Sequence, residues 1–160
     1  MNTIITICTV LSMYMTSLHD INSEYYYNAD IDNGIVKTMY VYDKVSNGIS
    51  PKLSYDFKYD AEGRLIEKTV NIWDSWSKQY KPSFRLEMSY YDNSYEVALS
   101  LWNKHKKERK TSSEKIIYQI ENDQVTTVNY LQRNHQGEYD PIDCMSILDP
   151  SEGLLLAETW

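Results

Sequence analysis

KTMYVYDKVSNGISPKLSYDFKYD, residues 37–60, returns as KTVNIWDSWSKQYKPSFRLEMSYYD at 68–92. It returns more loosely as VALSLWNKHKKERKTSSEKIIYQIEN at 97–122, and its first half recurs as TTVNYLQ at 126–132. The registers Lys37, Lys68, Val97 and Thr126 are 31, 29 and 29 residues apart. Self-similarity at a period near thirty marks one supersecondary unit repeated to build a continuous core. Inside each unit the side chains alternate. Leu53, Tyr55, Phe57 and Tyr59 fall on one face, and Lys52, Ser54, Asp56 and Lys58 on the other. Phe84, Leu86, Met88 and Tyr90 repeat the pattern, and Ile116, Tyr118 and Ile120 continue it. Period-two alternation of this length is the signature of half-buried antiparallel strands.

The connections order these strands. Asp60-Ala61-Glu62-Gly63-Arg64 reads as a tight hairpin in which Gly63 supplies a positive φ, and Asp92-Asn93 and Asn122-Asp123 stand at equivalent turns. The other ends read as longer: 43–51, 74–82, 103–113 and 133–141. Long loops therefore fall on one edge and tight turns on the other. The expected fold is mainly β, an antiparallel up-and-down meander of seven or eight strands: 35–43, 52–60, 64–73, 83–92, 95–102, 114–121, 124–132 and 142–148. Asp149-Pro150-Ser151-Glu152 ahead of GLLLAET reads as the start of a short C-terminal helix over 150–159, with a final strand as the alternative. A ten-residue helix is about 15 Å long, too small to cover an eight-strand face. The sheet is expected to curl toward a barrel or half-barrel.

The chain has 160 residues and a formal charge of -7, which argues against a nucleic-acid partner. Its fifteen tyrosines against two phenylalanines suit strands with one buried and one wet face. One basic run, Lys104 to Lys110, carries +4 and reads as a solvated loop. Residues 4–18, IITICTVLSMYMTSL, are too short for a membrane span of about 20 residues and fit the apolar part of a signal peptide over residues 1–20. A buried first strand or helix is the alternative. A mature single domain over 21–160, secreted or periplasmic and without a transmembrane span, is the expectation. It would keep Cys144 as its one cysteine; if the leader is retained, a Cys8–Cys144 bridge is conceivable.

No catalytic or metal motif is present, and no cofactor is implied: HExxH, CxxC, GxSxG and phosphate-cradling glycine loops are all lacking. Asp43, Asp60, Asp74 and Asp92 stand at strand ends, where carboxylates support turns. The candidate surface is aromatic. Tyr42, Trp73 and Trp102 occupy one repeat position, on the face opposite Val41, Ile72 and Leu101, and Trp76 and Tyr80 add rings nearby. Rings among hydrogen-bonding groups can grip a glycan or a peptide. A cross-strand ladder that pins the sheet register is the structural alternative.

Residues 59–69, YDAEGRLIEKT, resemble a single YD repeat of the Rhs type. More broadly, the apolar leader, the tyrosine-rich hairpins and Lys81-Pro82-Ser83-Phe84 resemble small secreted proteins of gut bacteria classed as a domain of unknown function. The resemblance spans roughly residues 25–148. It implies an exported β protein and carries no catalytic residue to transfer. Three functions follow in order: a non-catalytic secreted binding module, a structural protein that forms homo-oligomers through its sheet, and a carboxylate-based hydrolase.

Overall fold

The computed structural model describes residues 4–103, 108–122, 124–149 and 154–158. One helix, α1 (Ile7–His19), precedes eleven strands among the described residues. They are β1 (Tyr25–Asp32), β2 (Ile35–Val45), β3 (Gly48–Tyr59), β4 (Leu65–Asp74), β5 (Gln79–Tyr91) and β6 (Ser94–Asn103), followed by β7 (Glu108–Arg109), β8 (Glu114–Glu121), β9 (Gln124–Arg133), β10 (Tyr139–Asp149) and β11 (Leu154–Glu158). Neighbours in the sheet follow chain order, with the two-residue β7 set aside on β6. Every ladder whose register is resolved is antiparallel. The up-and-down meander is therefore the fold. The order begins at β1 and ends at β11, with no ladder between these two among the described residues, so the sheet is not closed into a barrel.

The chain groups into two compact units that divide within β5, residues 4–85 and the chain from 86 on. In the first unit β1 and β2 are joined through Asn33 (φ 48°) and Gly34 (φ 78°), the pair of positive angles that a two-residue primed turn requires. The β2–β3 connection is equally short. Val45 stands opposite Gly48, so only Ser46 and Asn47 turn the chain. This corrects the long loop expected at 43–51: the strands run on to Val45 and Gly48, and Ser46-Asn47 reverses the chain in two residues. The β3–β4 hairpin turns at Gly63 (φ 76°) as expected.

Three bulges each add a lysine or isoleucine to one strand. Lys37, Lys52 and Ile66 are left without a partner where the registers of β1–β2, β2–β3 and β3–β4 shift. Such insertions raise local twist while keeping alternate side chains on their faces. The apolar face of this unit carries Val36, Met39, Val41, Phe57, Leu65 and Val70, all buried.

Helix α1 contacts β1 and β2. It starts at a capping box in which Thr6 and Thr9 satisfy each other's backbone N–H groups. Two backbone bonds tie its entrance to the β3–β4 hairpin: Ile7 N–H to Gly63 O, 2.9 Å, and Leu65 N–H to Ile5 O, 2.8 Å. Val10 and Tyr14 are buried, while Met13, Met15 and Leu18 are exposed.

In the second unit, Tyr95 and Tyr118 face each other across β6 and β8 with rings stacked at 4.3 Å and 7°. Glu114 accepts from Tyr130 Oη at 2.6 Å across β8 and β9. The C-terminal helix is not formed where the structure describes the segment. Leu154–Glu158 pairs with β10, Cys144 opposite Glu158, and the expected helix start at Asp149 is the last residue of β10. Pairing along an open strand edge gives a short apolar segment several ladder hydrogen bonds at once, whereas an isolated helix of about ten residues is marginal. Residues 150–153 and 159 of the expected helix, and 104–107 of the basic run, lie outside the described residues. Cys8 and Cys144 are free thiols.

Candidate functional site

Alternation places two kinds of surface on the first unit. Opposite the apolar face, Thr38, Asp56 and Thr69 are cross-strand neighbours, as are Tyr40, Ser54 and Asn71. Ser54, Thr69 and Asn71 are buried although they lie on the polar face. They are satisfied within a network. Thr38 Oγ1 donates to Asp56 Oδ1 at 2.9 Å; Asn71 Nδ2 donates to Asp56 Oδ2 at 2.8 Å and to Ser54 Oγ at 3.1 Å. Glu67 accepts from Thr69 at 3.2 Å and pairs with Lys58 and Arg85, both at 3.0 Å. Buried polar groups joined this way hold one geometry, because any departure leaves a donor or acceptor unmet.

Rings gather at one end of this hydrogen-bonded floor. Trp73 meets Tyr80 edge-on at 5.0 Å, and Tyr80 meets Tyr40 at 5.8 Å. Tyr40 Oη donates to Asp30 Oδ2 at 2.9 Å, which with burial pushes its phenol up to about 12. Burial and the neighbouring Tyr42 raise Tyr80 as well. Tyr42, two residues beyond Tyr40, stands directly opposite Tyr26 of β1. Beside them lies a depression of about 440 Å³ lined by Tyr26, Tyr27, Asn28, Tyr42, Gly48 and Ile49.

Of the residues expected from the sequence, Tyr42 and Trp73 share this face of the first unit. Trp76 does not join the rings; it sits in the turn between β4 and β5 and is 98% exposed. Trp102 lies in the second unit, half-buried, opposite Arg109. Tyr26, Asn28 and Tyr40 were not among the expected residues. For Tyr26 and Asn28 the signal was Asn33-Gly34, which marks a hairpin and so makes the preceding YYYNADID a strand; Tyr40 lies in the expected strand 35–43, two residues before Tyr42 on the same face.

Among the described residues no group of three His, Cys, Asp or Glu side chains stands close enough to hold a metal ion. No helix among them is long and apolar enough to cross a membrane.

An open antiparallel meander with a docked N-terminal helix, ringed on its polar face, defines a class of fold without defining a chemistry. A family profile described as a family of unknown function, DUF3836, matches residues 1–120, and the chain belongs to that family. Among solved structures it is similar to a protein of unknown function from Bacteroides fragilis NCTC 9343. That match has 20% identity and a TM-score of 0.69, covering 79% of this chain and 95% of that one. DUF3836 family proteins from Bacteroides vulgatus ATCC 8482 and Parabacteroides distasonis ATCC 8503 are also similar. Their identities are 23% and 21% and their TM-scores 0.52 and 0.51; they cover 54% and 59% of this chain and 89% of each of their own. At these identities the likeness is one of fold. No curated protein matches the chain.

Proposed function

We propose that this protein is an exported, non-catalytic binding module that takes a neutral glycan on the polar face of its first unit. The observation that carries the reading is the pairing of Tyr26 with Tyr42 beside the 440 Å³ depression. Tyr26 is 50% exposed, and Asn28 follows on the same face to offer an amide. Two rings and an amide suit a sugar, which presents apolar C–H faces and hydroxyl edges together. Further along the same face the Asp56–Asn71–Ser54 network fixes β3 against β4, so little ordering of these strands remains to be done on binding. Export is supported by the leader: residues 4–18 contain no charged side chain, and α1 leaves Met13, Met15 and Leu18 exposed while it buries Val10 and Tyr14. A helix selected only to pack on a sheet would carry fewer large apolar residues on its outer face.

The test is a titration of the ¹⁵N-labelled protein with a panel of neutral oligosaccharides. The reading expects amide shifts confined to Tyr26, Asn28, Tyr42 and Ile49 with at least one member. An unchanged spectrum throughout would remove it.

A further inference from the structure

We propose that two copies of this chain join edge to edge through β1, antiparallel about a two-fold axis at Asn28, so that their sheets become one. Among the described residues β1 ends the sheet order, with a neighbouring strand on one side. Its hydrogen bonds show which residues reach the open side. Glu24 O accepts from the Lys44 N–H of β2. The Tyr25 N–H instead goes to Ser23 Oγ at 3.1 Å, and the Ala29 N–H to the adjacent Asn28 Oδ1 at 2.9 Å. Backbone groups alternate in direction along a strand, so Tyr25, Tyr27, Ala29 and Ile31 turn theirs away from β2. Such an edge is a template for another strand unless lysine, proline or a bulge blunts it. Residues 25–32 hold no lysine or proline, and the extra residue of the nearby bulge, Lys37, lies on β2.

The sequence of β1 is complementary to itself in one register. With the axis at Asn28, Tyr27 stands opposite Ala29 of the second copy, and Tyr25 opposite Ile31. These are the four residues with outward backbone groups, and their pairs exchange about eight hydrogen bonds. An axis at Tyr27 would leave Ile31 out, and one at Ala29 would leave Tyr25 out. The side chains agree with the backbone. On the apolar face Ile31, 44% exposed, gains a tyrosine ring; on the polar face Tyr26, 50% exposed, meets Asp30. Asp30 thus faces a phenol and not another acid. Glu24 opposite Asp32 at either end is the one like-charged pair, so salt should tighten the association. The pairing also brings Asp30 of the second copy to Tyr26, which lines the 440 Å³ depression. That added carboxylate rests on the glycan reading; the dimer does not.

The experiment is sedimentation velocity of the full chain from about 1 µM to about 1 mM, with amide hydrogen exchange at both ends of that range. The expected result is a monomer–dimer equilibrium in which protection of Tyr27, Ala29 and Ile31 rises with concentration, while that of Asn28 and Asp30 does not change. Ala29→Pro should weaken the dimer roughly tenfold or more, since it lacks the N–H and its ring fills the edge. Proline is tolerated on an edge strand where the N–H faces solvent, and circular dichroism verifies the fold. Disulfide trapping in a Cys8→Ser, Cys144→Ser background reads the register. Asn28→Cys should cross-link to its counterpart on mild oxidation, because Cα atoms at a non-hydrogen-bonded pair lie about 4.5 Å apart. Asp30→Cys should not. A monomer at about 1 mM overturns the proposal. So does a dimer that folded Ala29→Pro leaves intact, cross-linking at position 30 instead of 28, or growth beyond dimers, which pairing of β1 with β11 would produce. Glycan-induced shifts in a protein that stays monomeric would keep the glycan reading and remove this one, so the two can fail separately.

Discussion

Asn71 donates through Nδ2 to Asp56 Oδ2 at 2.8 Å, a bond between β4 and β3 on the face that alternation alone would assign to water. The same amide reaches Ser54, and the other Asp56 oxygen receives Thr38. Asn71→Ala removes both amide bonds and leaves a carboxylate with one donor. The expected cost is about 1–3 kcal/mol in urea or thermal unfolding. Thr38→Val, which removes the other donor, should be non-additive with it, and a double-mutant cycle measures the coupling.

Asp74 gives a pH signature. Lys81, the Ser77 hydroxyl and the Trp76 N–H hold its carboxyl down to about 2. A depressed carboxylate contributes order above its unfolded value of about 3.9 and loses that contribution as pH falls through the folded one. The Trp76 amide resonance should therefore hold its position down to about pH 4 and move between about 4 and 2. In Asp74→Asn the amide should start displaced and stay flat across that window.

Helix α1 separates packing from exposure on a single element. Val10 is 3% exposed and Met13 is on the open side. In the full chain Val10→Ala should cost about 1–3 kcal/mol through lost burial and the cavity left behind. Met13→Ala should fall within about 0.5 kcal/mol of the parent. Equal costs would mean that the helix is not seated on the sheet.

Lys68 stands on the apolar face opposite Phe57, its ammonium 4.2 Å from the Tyr55 ring centre, with no carboxylate pairing it among the described residues. Burial lowers its pKa. A lysine with a depressed folded value disfavours the charged folded state, a cost present below that value and relieved as pH rises toward about 10.4. Lys68→Met should accordingly raise Tm by a few degrees at pH 7 and lose that advantage at high pH.

Most of the meander could be read from the chain, because strands such as 52–60 and 83–92 alternate without interruption and their turns carry Gly63 or Asx residues. What escaped has physical causes. In β1 the run Tyr25-Tyr26-Tyr27 puts rings on both faces, so period two disappears, and the polar half, Asn28 to Asp32, resembles a loop. Only Asn33-Gly34 announces the hairpin. The 43–51 segment reads as a loop because polar residues outnumber apolar ones, although Ser46-Asn47 alone turns the chain. At the C-terminus a local capping pattern lost to non-local pairing with β10. Within the site, Tyr42 and Trp73 were legible from their shared repeat position. Their partners Tyr40 and Tyr26 depend on register and bulges, which composition does not encode.

Calorimetric titration of one neutral oligosaccharide into the parent protein and into Tyr26→Ala bears most directly on the binding face. Tyr26 is half-exposed, so its truncation removes a stacking surface without emptying a core position. A saturable isotherm for the parent, weakened about tenfold or more in Tyr26→Ala, is the predicted result. Identical isotherms for the two proteins, or no heat from either, would contradict it.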